Sequence, residues 1–115
     1  MSNQQPRRAY HEVVIANGGT TSTAVDIGSE TVVGFIFPAS FEGATVTFTA
    51  AKTASGTYYP VIDNITGSSV TYYAGASKFT RVQPGEIACL QYFKVVSASS
   101  VGADRTIIIV TRPTA

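Results

Sequence analysis

The chain has 115 residues, enough for one domain with a single core, and only 13% of them are charged, against roughly 25% in ordinary globular domains. With 44% apolar residues it lacks the low hydrophobicity and high charge of a disordered segment. The formal net charge is +1, and apart from Arg7-Arg8 the basic residues are scattered singly. That pattern argues against a nucleic-acid partner, whose phosphates select a basic stripe.

Residues 1–10, rich in polar side chains with Pro6 and Arg7-Arg8, are expected as a flexible N-terminal arm ahead of one β-sandwich domain over 11–112. The arm has no apolar core of signal-peptide length, and no run reaches the ~18 apolar residues of a membrane span. No membrane partner is therefore expected.

From there the sequence reads as short extended runs between turn residues. HEVVIA (11–16) stops at Asn17-Gly18-Gly19, STAVDI (22–27) at Gly28-Ser29, and TVVGFIF (31–37) at Pro38. ATVTFTA (44–50) alternates without a miss, so Val46 and Phe48 face one side and Thr45, Thr47 and Thr49 the other. TYYPVID (57–63) contains Pro60, which predicts an edge strand or a bulge. SVTYYA (69–74), SKFTRV (77–82), EIACLQYFKVVSA (86–98) and DRTIIIVT (104–111) follow, separated by Gly75, Pro84-Gly85 and a Ser/Gly-rich stretch. No window shows a helical period. Eight or nine such strands predict an all-β fold, a jelly-roll-like antiparallel sandwich or a barrel.

Several runs are apolar on both faces. Ile107 and Ile109 oppose Ile108 and Val110, while Val33, Phe35 and Phe37 oppose Val32 and Ile36. A two-sheet sandwich buries one face of each sheet. Each large apolar side chain left outside forgoes roughly 1.5–3 kcal/mol of burial. The second face is covered either by the arm or a long loop, or by a neighbouring subunit; the subunit is the preferred reading.

Candidate chemistry is sparse. Cys89 is the only cysteine, so no intrachain disulfide forms, and its apolar surroundings predict a small buried hydrophobe. His11 is the only histidine, beside Glu12, with no nucleophile near it in sequence. Seven acidic residues are spread along the chain, and no spacing marks a pair such as glycosidases use. No catalytic, metal or cofactor site is predicted. A small hydrolase built on Asp26, Asp63 or Glu86 is the weakest of three functional readings. The doublets Tyr58-Tyr59 and Tyr72-Tyr73 are each expected to send one ring inward and one outward. The two doublets either pack on each other across strands or offer outward rings to a sugar or a protein. Candidate partner-contact residues are thus Arg7, Arg8, Tyr58, Tyr59, Tyr72, Tyr73, Ile108 and Val110.

Taken along 22–110, the segments Val25-Asp26, Val33-Gly34 with Pro38-Ala39, Thr47-Phe48-Thr49, Gly56-Thr57-Tyr58 with Pro60-Val61-Ile62-Asp63, and Tyr92 to Ile107 resemble small virion structural proteins of tailed bacteriophages. The resemblance implies a jelly-roll-like sandwich serving as a capsid decoration (cement) protein or a head- or tail-attached module. The chain departs from that pattern at Ile62 and in the turn after Asp63, and no functional residue carries over. The expectation is a non-enzymatic virion protein, made in the host bacterial cytoplasm. Its expected partners are other copies of itself, with a trimer favoured, and the major capsid protein or another virion protein. The alternative is a carbohydrate-binding or adaptor module of a head fibre or tail.

Overall fold

The computed structural model describes residues 8–83 and 85–113. They form nine strands, and no helix occurs among them. The strands are β1 (Ala9–Ile15), β2 (Val25–Asp26), β3 (Thr31–Ile36), β4 (Thr45–Ala51), β5 (Tyr59–Pro60), β6 (Tyr72–Tyr73), β7 (Phe79–Arg81), β8 (Tyr92–Ser97) and β9 (Arg105–Arg112). Two antiparallel sheets result. One has the order β1-β9-β3-β7; the other has β2-β8-β4-β5, with β6 also pairing with β4.

The core lies between the sheets. Phe35 and Phe37 from β3 and its exit meet Phe48 of β4 and Phe93 of β8, all at most 2% exposed. Phe48 stacks on Phe35 at 5.5 Å and meets Phe93 edge-on at 6.2 Å, a geometry that suits the ring quadrupole. Val13, Ile15, Ile107 and Ile109 complete the four-stranded side. The alternation in β4 plays out as expected: Val46 and Phe48 are buried, and Thr45, Thr47 and Thr49 are half-buried on the other face.

Pro60 sits on β5, at the edge of its sheet, where a missing N–H breaks no ladder. Gly18 adopts φ 84° in the turn after β1, a conformation that penalises a side chain. Strand β1 starts at Ala9, so Ala9 and Tyr10 belong to the sheet rather than to the arm. Residues 1–7, including Arg7, and Pro84 lie outside the described residues.

Two of the expected strands differ from the sequence reading. The first concerns the run 86–98, which is not one long strand. Successive turn bonds (Glu86 N–H to Gln83 O, Ala88 to Gly85, Leu90 to Ile87) fold 85–90 into tight turns, and the strand occupies only Tyr92–Ser97. Ile87 and Leu90, three apart, both reach the core at 2% exposure, which leaves Ala88 and Cys89 outside. Cys89 is therefore exposed, not buried.

The second concerns β3, where the register slips between Val32 and Gly34. The extra residue, Val33, is a bulge that re-phases the strand. Val32 consequently joins Phe35 in the core instead of opposing it.

Candidate functional site

The outer face of the four-stranded sheet departs from an ordinary wet surface, as do the exposed Tyr59, Ile62, Ile65 and Tyr73 elsewhere on the molecule. Strand pairing sets it out in rows. Tyr10, Val110, Gly34 and Arg81 are cross-strand neighbours in one row; Glu12, Ile108, Ile36 and Phe79 are neighbours in the next. Paired residues share a face, so an apolar band runs across four strands. Tyr10 is 64% exposed and Phe79 62%, while Ile36 and Ile108 between them are half-buried.

Gly34 has a specific role in this band. A Cβ at that position would meet the Phe79 ring at 2.6 Å, so the ring lies across the glycine. Val110, the cross-strand neighbour of Gly34, is buried at 3%. Of the two residues expected to contact a partner here, Ile108 is available and Val110 is covered within its own chain. Tyr10 and Phe79 were not singled out from sequence. The signal was present in the alternation of Phe79 with Arg81, but Tyr10 fell in the stretch assigned to the arm.

Arg8 is exposed just before β1, and Arg112 lies one row beyond Val110 on β9. Among the described residues, the charges in the strand rows of this face are thus Glu12, Arg81 and Arg112, with Arg8 exposed just ahead of β1.

The tyrosine doublets fall on the other sheet and do not pack on each other. Strands β5 and β6 pair with opposite ends of β4, at Thr49-Ala50 and at Thr45-Val46. Tyr72 points inward against Phe35 and Phe48. Its hydroxyl donates to Glu86 Oε1 at 2.6 Å. Burial, and then the Glu86 carboxylate, hold the Tyr72 phenol well above its ordinary range. Tyr73 is 82% exposed and Tyr59 66%. Neither member of the first doublet enters the core: Tyr58 donates to Ala54 O at 2.8 Å and lies under Lys94 Nζ at 4.5 Å from the ring centre.

Two hollows open on this side. One, of about 600 Å³, is lined by Ala50, Val61 and Leu90 with Lys52, Tyr59 and Cys89 among its walls. The other, of about 320 Å³, brings Asp63 and Glu86 to one groove beside Tyr72. Sequence spacing had not joined these two acids. Both are engaged in holding the fold: Asp63 Oδ1 accepts from Ile65 N and Thr66 N, and Glu86 accepts from Tyr72. Asp26 stands apart from them, accepting from Gly28 N and Gln91 Nε2.

His11 belongs to a small polar cluster. Its Nε2 and the Thr111 hydroxyl meet the same oxygen, Glu30 Oε1, at 2.7 and 2.6 Å. The Thr111 hydrogen bond and then His11 lower the Glu30 carboxyl. Among the described residues, no group of three or more His, Cys, Asp or Glu is placed to hold a metal ion, and no helix is long and apolar enough to cross a membrane. Comparison of the chain with protein-family models, with curated proteins and with solved structures found no match.

Proposed function

We propose that this chain is a non-enzymatic structural protein of a tailed-bacteriophage virion, a capsid decoration protein that reinforces the head through contacts on its four-stranded sheet. The observation that carries the reading is the apolar band itself, with Tyr10 and Phe79 64% and 62% exposed at its two ends. A continuous apolar band of this kind marks a surface made to be covered.

Two further features support it. The chain crosses between sheets at β1→β2, β2→β3, β3→β4, β6→β7, β7→β8 and β8→β9. With β5 and β6 counted as one position beside β4, the orders β1-β9-β3-β7 and β2-β8-β4-β5 support a jelly-roll reading of the two sheets, a fold common to capsid proteins. Moreover, Asp26, Glu30, Glu42, Asp63, Glu86 and Asp104 all accept hydrogen bonds that tie loops or strands together. Acids spent in this way suit a rigid building block.

The test is to add purified protein to undecorated capsids and follow their melting. The capsid melting temperature is expected to rise with the wild type and not with Phe79→Glu. No rise with the wild type would overturn the reading.

A carbohydrate-binding module of a head fibre or tail is the second reading, favoured by the outward rings of Tyr59 and Tyr73. A glycan array separates the two. The decoration reading expects no signal, and binding lost in Tyr59→Ala or Tyr73→Ala would establish the second reading instead.

A further inference from the structure

We infer that the occupant of the apolar band is a second copy of this chain, packed face to face about a two-fold axis that runs across the strands, between the Val110 row and the Ile108 row. This rests on the reading of that face as a contact surface, and adds the partner and the geometry.

The argument comes from how the two rows complement each other. Such an axis sets each strand against its own counterpart and exchanges the rows. Tyr10 then faces Glu12 of the second copy, a hydroxyl donor to a carboxylate. Arg81 faces Phe79 of the second copy, a guanidinium on an exposed ring. Each contact occurs twice, as a closed isologous interface requires. Between them Ile108 and Ile36 close the apolar centre.

The alternative axis, along the strands, fails on charge. Arg112 stands at the Tyr10 end of the face, and Arg8 is exposed just ahead of β1 at that same end of the strand. Rotation along the strands would bring the arginine ends of both copies together. Rotation across the strands carries them to opposite ends, near Val14 and Thr106. The trimer expected from sequence needs two different surfaces on each copy, whereas this face is complementary to itself.

Strands of seven, eight, six and three residues, at about 3.3 Å per residue and about 4.8 Å spacing, offer about 380 Å² per copy, or about 760 Å² for the pair. That area is the size of a small, weak association, so its complementarity rather than its extent argues for the pairing. Twisted sheets of the same hand also pack readily, with strands about 30° from parallel.

The first measurement is the mass of the full chain by sedimentation equilibrium at micromolar concentrations. Twice 12.1 kDa is expected. Phe79→Glu and Arg81→Glu, both at exposed positions, are expected to return the mass to 12.1 kDa with an unchanged circular dichroism spectrum. A monomeric or trimeric wild type would overturn the inference.

The second measurement fixes the axis. In a Cys89→Ser background, Tyr10→Cys mixed with Glu12→Cys should be joined by a short bis-maleimide that spans the roughly 10 Å between facing sheets, while Tyr10→Cys mixed with Arg81→Cys should not. The reverse result would overturn the geometry. Capsid melting is read independently: a monomer that still raises it would sink this inference and leave the decoration reading standing, and a dimer without effect on capsids would do the opposite.

Discussion

Glu42 and Arg105, 63 positions apart, form a two-point ion pair: Arg105 Nε donates to Oε1 at 3.0 Å and Nη2 to Oε2 at 2.8 Å. Oε2 also accepts from the backbone N–H of Gly102 at 2.7 Å. One carboxylate thereby ties the loop after Phe41 to the start of β9, one of the two inner strands of the apolar face. The Arg105 hydrogen bonds, and then Gly102, lower the Glu42 carboxyl from an ordinary 4.5 to about 2.

A pH dependence follows from that pair. The folded state holds Glu42 ionised at pH values where the unfolded chain would protonate it, so its contribution is complete above about 4.5 and disappears as the pH falls toward about 2. Glu42→Gln should therefore melt below the wild type at neutral pH, with the gap closing between those two values. Parallel melting curves across the range would show that the pair adds nothing to stability.

Glu30 should behave in the same sense, because Thr111 and His11 lower it too. Thr111 is fully buried, so Thr111→Val removes a hydrogen bond to a carboxylate without opening a cavity. It should cost about 1 kcal/mol near neutral pH and less in acid. Urea titrations at two pH values test this, and a cost independent of pH would place the effect in packing instead.

Phe48 and Thr49, adjacent in β4, should respond in opposite directions. Phe48 is 1% exposed and touches three other rings, so Phe48→Ala should cost roughly 3–5 kcal/mol. The Thr49 hydroxyl oxygen is buried with no hydrogen-bond partner, which costs free energy. Thr49→Val should therefore leave stability unchanged or raise it by about 1 kcal/mol. Chemical denaturation of both variants decides; a clear loss in Thr49→Val would mean that the hydroxyl is satisfied in solution.

Cys89 should react in the native state. It is exposed at the wall of the larger hollow, so one thiol per chain should be titrated by Ellman's reagent without denaturant. Reaction only after unfolding would return Cys89 to the core.

Much of the fold was legible because the local pattern has a physical period. The unbroken alternation of 44–50 placed Phe48 in the core, Pro60 marked an edge, and Asn17-Gly18-Gly19 marked a turn. The reading failed where two periods overlapped. Ile87 and Leu90 are spaced three apart, the repeat of a tight turn, inside a run whose apolar content resembles a strand. That overlap is why the sequence pattern points Cys89 to the interior while the structure exposes it. The bulge at Val33 left no mark in the sequence either, since one inserted residue merely shifts an apolar run by one place.

The apolar surplus on the second face of β9 and β3 was visible from Ile108 and Ile36 alone. Its ends were not, because Tyr10 and Phe79 join it only when β1 and β7 take the flanks of the sheet. By itself, then, the sequence determined the all-β character, most of the turn positions and most of the side chains that must be hidden, all set by backbone sterics and hydrophobicity within a few neighbouring residues. Only the tertiary structure decided which strands lie side by side: Ala9 pairs with Thr111 across nearly the whole chain, and a contact between segments so distant depends on how all the sheets close, not on any local pattern.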